Sequence, residues 1–240
     1  MNLIIDVGNT RIKAAVFEND TLVELLDFKH EIIVEKTEEI LNKYQISAGI
    51  ISSVAIIPSK DVKILQKMCA FLELNSKTKV PFVNTYKTPT TLGVDRIAAV
   101  ANAVQKYPKR NVLIIDAGTC ITYDFVNSKK EYLGGAISLG IEMRYKSLHE
   151  FTSKLPLLEK ESDSKLIGNS TNTSIHSGII NAVLLEIKGF VAQYEKENRD
   201  LTIVLTGGDT NFLAKQLKSS IFANPNFVLE GLNAILIYNK

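Results

Sequence analysis

The sequence predicts an α/β protein made of two copies of one unit, each a mixed β-sheet flanked by helices. Three observations carry the prediction. The stretch Asn2-Leu-Ile-Ile-Asp-Val-Gly-Asn-Thr-Arg-Ile-Lys13 recurs as Asn111-Val-Leu-Ile-Ile-Asp-Ala-Gly-Thr-Cys-Ile-Thr122, so that Leu3, Ile4, Ile5, Asp6 and Gly8 fall on Leu113, Ile114, Ile115, Asp116 and Gly118 at a constant offset of 110 residues. Short apolar runs bounded by glycine and amide residues alternate with segments of helical period, the pattern of strands interleaved with helices. Each copy also opens as two strands joined by a tight turn, and a hairpin introduces antiparallel pairing into an otherwise parallel sheet. The expected halves are residues 1–110 and 111–240.

Taken in order, residues 2–6 read as a buried strand and 11–17 as its hairpin partner, returning through Gly8-Asn9-Thr10. A third strand follows over 22–28, then a helix over 34–44 with apolar positions at 34, 40, 41 and 44. Residues 48–54 form the next strand, and 61–74 read as one amphipathic helix carrying Val62, Leu65, Met68, Cys69 and Leu72 on a single face. A short strand near 80–83 leads into the irregular segment Lys87–Arg96, after which Asp95 stands where a helix N-cap would and Pro108 stops the helix. The second copy repeats the hairpin over 112–116 and 121–126. A helix from Ile141 to Leu155, a charged loop over Glu159–Lys165, a long helix with Ile175, Ile179, Val183 and Ile187 on its stripe, and a strand over 202–205 follow. A helix carrying Phe212, Leu213 and Leu217, and another after Gly231, close the chain.

The balance of 28 Lys and Arg against 26 Asp and Glu gives a net charge of +2, which provides no electrostatic case for nucleic acid or an anionic membrane. No unbroken apolar run approaches the roughly 20 residues needed to cross a bilayer, and the N-terminus enters a strand rather than a leader peptide. A cytoplasmic protein is expected. Cys69 and Cys120 lack metal-ligand or redox spacing. His30, His149 and His176 stand beside no other metal ligand, and each reads as a surface or structural residue.

Chemistry concentrates in small-residue turns that follow strands: Asp6-Val-Gly-Asn-Thr10, Asp116-Ala-Gly-Thr119, Gly134-Gly135 and Thr206-Gly-Gly208. Glycine permits close backbone approach, and exposed N–H groups with Thr and Asn side chains bind anionic oxygens. There is neither a GxxxxGK[ST] loop nor a GxGxxG after a strand, so these are phosphate cradles of another kind. Aspartates beside them suit Mg²⁺, and Lys13, on the same strand face as Arg11, adds a direct cation. A single Asp-x-Gly turn is often only a capped turn. Two at matched positions suggest half-sites facing each other across a cleft.

The arrangement resembles the superfamily of acetate kinase, sugar kinases, Hsp70 and actin, whose two RNase H-like (actin-like ATPase) domains each begin with such a hairpin. Together, Asp6-Val-Gly-Asn-Thr10, Gly93-Val-Asp-Arg96, Asp116-Ala-Gly-Thr-Cys-Ile-Thr122, Gly134-Gly-Ala-Ile137, Thr171 ahead of Ser177-Gly178, and Thr206-Gly-Gly208 are similar to type III pantothenate kinase, in order from residue 2 to about 232. The resemblance implies ATP-dependent phosphorylation of pantothenate, the first step towards coenzyme A. It implies that Asp6, Val7, Gly8, Asn9, Thr10, Arg11, Ile12 and Lys13 bind the ATP phosphates, with Asp6 near Mg²⁺. Thr119, Gly207 and Gly208 would also bind ATP, and Asp116 would hold a monovalent cation, K⁺ or NH₄⁺. Asp95 would be the general base, with Tyr86, Gly93, Val94, Asp95, Arg96 and Thr171 lining the pantothenate pocket of a homodimer. Cys120, Leu139 and Ser170 depart from the family's usual alanine, proline and asparagine. A non-catalytic ATP-binding regulator, or a related kinase acting on another small hydroxyl substrate, is the alternative. The Gly-Val-Asp-Arg motif argues against both.

Overall fold

The computed structural model describes residues 1–162, 164–217 and 221–240; Asp163, in the charged loop, lies outside them. The chain begins with β1 (Asn2–Val7), β2 (Ile12–Glu18), β3 (Thr21–Phe28), α1 (Ile33–Lys43), β4 (Ala48–Ser53), α2 (Ser59–Met68), β5 (Phe71–Glu73), β6 (Val83–Asn84) and α3 (Val94–Lys106). It continues with β7 (Val112–Ala117), β8 (Cys120–Val126), β9 (Glu131–Leu139), α4 (Ile141–Glu150), α5 (Thr171–His176) and α6 (Ala182–Glu197), the last two joined by a π turn at Ser177–Asn181. β10 (Thr202–Thr206), α7 (Thr210–Leu217), β11 (Ile221–Ala223) and α8 (Phe227–Tyr238) complete it.

The duplication seen in the sequence is a duplication of sheet topology. One sheet runs β3-β2-β1-β4-β5 and the other β11-β10-β7-β8-β9-β6. In each, the strand bearing the aspartate pairs antiparallel with the next strand of its hairpin and parallel with a later one: β1 with β2 and β4, β7 with β8 and β10. Both aspartate strands are therefore central and buried on two faces, which is why Leu3, Ile4 and Ile5, like Leu113, Ile114 and Ile115, form unbroken apolar runs with no exposed surface. Register sets Lys13 and Ser52 on either side of Asp6, and Thr122 and Thr206 on either side of Asp116.

Two compact units result: Met1–Lys109 with Lys129–Leu133 and Asn226–Lys240, and Arg110–Ser128 with Gly134–Pro225. Residues 226–240, which the linear halves assign to the second copy, lie in the first unit because α8 packs on α3. A side chain at Gly231 would collide with the Ala98 carbonyl, so glycine there is what lets the two helices approach. Asn102 fixes the crossing by donating to the Phe227 carbonyl at 2.8 Å, and Asn2 donates to Asn233 at 2.8 Å.

Three local expectations change. The helix expected over 61–74 stops at Met68, and Phe71–Glu73 is instead a strand on the open edge of β4, with the Phe71 ring filling the space beside Gly49. The helix from Ile141 ends at Glu150 rather than at Leu155, and α8 begins at Phe227, before Gly231. The continuous helix Thr171–Glu197, 27 residues, is long and apolar enough by length and composition to cross a membrane, although no unbroken apolar run is. Its Ile175, Ile179, Ile180, Val183 and Ile187 are buried within the core of the second unit, as in a core helix.

Candidate active site

In the first unit, β1 delivers Asp6 at its C-terminal end, partly buried, with the Ser52 hydroxyl donating to its Oδ1 at 2.6 Å. Burial pushes the Asp6 carboxyl up to about 6; the Ser52 bond opposes this, the nearby Asp95 charge adds to it, and Lys13 opposes it. Asp95 lies close enough for its charge to disfavour ionisation of Asp6, and with a lysine beside them the two carboxylates form a site that a divalent cation would relieve. Gly8 closes the turn by donating its N–H to the Arg11 carbonyl at 3.1 Å. Not every residue of the Asp6–Lys13 run faces outward. Val7 and Ile12 are core residues, and the Arg11 side chain is bound to Asp27, pairing with its carboxylate and donating to its carbonyl at 3.0 Å.

The Gly93–Arg96 motif opens α3. The N-cap is Gly93, not Asp95, and Asp95 is the second residue of the helix, where an acidic side chain complements the positive end of the dipole. Its Oδ1 turns back to accept the Arg96 N–H at 2.8 Å. A side chain on Gly93 would collide with that same oxygen, so glycine at this position clears the space the carboxylate occupies. Arg96 is buried, with its guanidinium 5.7 Å from the centre of the Tyr86 ring, and Tyr86 stacks on Tyr132 with centroids 6.0 Å apart. Tyr86, Asp95 and Arg96, dispersed along the sequence, therefore form one group.

In the second unit the turns at Asp116 and Thr206 lie against each other. Gly207 has φ +95°, and a side chain there would strike both the Ala117 carbonyl and Asp116 Oδ1. Asp209 donates its N–H to the Ala117 carbonyl at 2.9 Å. Gly140 approaches from a third side, donating to the Thr119 carbonyl at 3.1 Å. The Thr206 hydroxyl, in register with Asp116, is buried and has no hydrogen-bond partner among the described residues. Asp116, the Ala117 carbonyl and Thr206 thus offer oxygen donors only, a set that suits a hard cation. Asp209 and Lys160, which the sequence does not single out, pair here, with Lys160 reaching from the charged loop to the buried carboxylate at 2.5 Å. Only adjacency to Thr206-Gly-Gly208 marked Asp209, and nothing local marked Lys160.

Thr171 is exposed at the first turn of α5. Ser170 caps that helix with a complete capping box, accepting from the Thr173 N–H at 3.3 Å while Thr173 Oγ1 accepts the Ser170 N–H at 2.9 Å. Serine in place of asparagine therefore keeps the N-terminus of α5 capped. Thr171 lines a groove of about 870 Å³ in the second unit, along with Leu139, Phe151 and Ile179.

Residues 2–193 match the family model described as type III pantothenate kinase. The chain belongs to the type III pantothenate kinase family. The family's member from Christiangramia forsetii is 53% identical over 241 residues, covering 100% of this chain and 99% of that one. The member from Flavobacterium psychrophilum is 46% identical over 241 residues and covers 100% of both. Among solved structures, a Baf family protein from Campylobacter jejuni aligns with TM-score 0.68 at 22% identity, over 99% of this chain and 98% of that one. A glucokinase from an Antarctic psychrotroph aligns with TM-score 0.54 at 12% identity, over 99% and 98%. At those identities the likeness is one of fold, and the fold is that of the sugar kinases and actin-like ATPases.

Proposed function

We propose that the chain transfers the terminal phosphoryl group of ATP to the primary hydroxyl of pantothenate, with Asp95 as the general base. Family membership over the full length supports the reaction. The observation that carries the assignment of the base is the Gly93–Arg96 arrangement, in which a carboxylate at the start of α3 is given room by Gly93 and set beside the buried Arg96. Phosphoryl transfer asks the protein chiefly to position the hydroxyl and offset charge. Asp95 accepts the hydroxyl proton. Arg96, backed by Tyr86, presents a planar fork to the pantothenate carboxylate or a hydroxyl.

Asp6 and the Gly8–Thr10 turn bind the phosphates, with Lys13 as a fixed positive charge. Thr119, Gly207 and Gly208 are further ATP-binding residues on this reading. Asp6 would hold Mg²⁺, and Asp116 with Thr206 would hold K⁺ or NH₄⁺. When bound, these ions supply positive charge that offsets the negative charge on the phosphate oxygens in the transition state. The groove bearing Thr171, with Phe151 86% exposed, is proposed as the face that a second copy covers in a homodimer. A cytoplasmic location belongs to the same reading.

The test is phosphopantothenate formation by purified protein with ATP, Mg²⁺ and K⁺. Asp95→Asn is expected to lower kcat by about 10² to 10⁴-fold, the usual contribution of a general base. Full activity in that variant would remove Asp95 from the mechanism.

A further inference from the structure

We infer that His30 is a positioning residue of the phosphate turn, aiming the Asn9 amide of Gly8-Asn9-Thr10. The inference rests on the reading of Asp6–Lys13 as the ATP-phosphate site. His30 begins a single 3-10 turn directly after β3, and β3 is held against the turn because Phe28 pairs with Ile12. Its Nε2 lies 2.8 Å from the Gly8 carbonyl oxygen. A carbonyl only accepts, so Nε2 is the donor. The peptide joining Gly8 to Asn9 is planar and trans, which points the Asn9 N–H away from the Gly8 C=O. Fixing that carbonyl towards His30 therefore fixes the amide towards the opposite side of the turn. Asn9 is exposed, and its amide has no protein partner among the described residues.

The end of β3 and the 3-10 turn after it thus hold the phosphate turn at two points, with Asp27 on Arg11 and His30 on Gly8. The Asp27 contact holds the outgoing limb, where the backbone already pairs with β3. The His30 contact is the one that sets a peptide plane within the turn. A turn whose amides must all point at one anion loses affinity when a plane is free to rotate, because its orientation has to be fixed again on each binding event.

The experiment compares His30→Leu, His30→Gln and Lys13→Met with the unaltered protein. It measures KM for ATP, KM for pantothenate and kcat, together with thermal unfolding without ligands. Glutamine places an amide N–H at the same bond distance from Cβ as histidine Nε2, so it restores the donor without the ring. The expected result is a rise of about three- to tenfold in KM for ATP in His30→Leu, the effect of one lost hydrogen bond. KM for pantothenate should stay within about twofold and His30→Gln should recover most of the loss. If Lys13→Met raises KM for ATP while His30→Leu does not, the His30 role is overturned and the phosphate site stands. If neither variant changes it, the phosphate reading fails and takes the inference with it. Loss in His30→Leu that glutamine does not recover, or an equal rise in both KM values, would identify His30 as a packing residue and overturn the inference.

Discussion

Replacing Asp6 with asparagine is expected to stabilise the ligand-free protein near neutral pH while weakening the nucleotide site proposed around it. The folded environment moves the Asp6 carboxyl from its ordinary 3.8 to about 6. At roughly 1.4 kcal/mol for each tenfold change in an ionisation equilibrium, an ionised Asp6 costs the folded state about 3 kcal/mol relative to the unfolded chain. Asparagine removes the charge and keeps an Oδ1 able to accept from Ser52, so only the electrostatic cost is lost. Partial exposure of the site reduces the expected gain to about 1–3 kcal/mol. The sign with pH follows from the direction of the shift. An acid raised in the folded state contributes stability that is complete below 3.8 and is lost as pH rises through about 6. The advantage of Asp6→Asn should therefore be small near pH 4, grow up to pH 6 and level off above 7. Urea unfolding of both proteins across that range, without nucleotide or divalent cation, measures it. An asparagine variant that is no more stable at pH 7.5, or whose advantage does not change with pH, would refute the reasoning. A group retained at that cost is typical of a functional site.

The glycines of two helices should respond oppositely to alanine. At Gly189 of α6 an added Cβ would meet nothing within 4 Å, so Gly189→Ala should stabilise by about 0.5–1 kcal/mol through helix propensity. At Gly231 the same propensity gain is outweighed by collision with the Ala98 carbonyl, and Gly231→Ala should destabilise by about 1–3 kcal/mol. Thermal unfolding of the two variants checks both signs, and stabilisation by both would show that the α3–α8 crossing is looser than its geometry. Replacing K⁺ with Na⁺ in the kinase assay should abolish turnover if Asp116 holds the monovalent cation. Undiminished activity without K⁺ or NH₄⁺ would remove that role.

The sequence by itself determined the repeated strand and turn, because a strand buried on both faces must be apolar along its whole length and a close turn must be built from small residues. It also placed the end of the Gly93–Arg96 motif at a helix start, since an acidic residue ahead of a helical run is a local signal. What it assigned to Asp95 as a cap belongs to Gly93, a difference of two residues that local preference does not resolve. Only the tertiary structure decided that Asp6 is joined by Ser52 across 46 residues, that Lys160 reaches Asp209 across 49, and that Tyr86 lies beside Arg96. It alone placed α8 in the first unit and put the His30 ring on the Gly8 carbonyl. Those pairings depend on which surfaces fit once strands are in register and helices have packed. Complementarity of that kind leaves no period and no motif in the residues that provide it, whereas strands, helices and turns are written in neighbours.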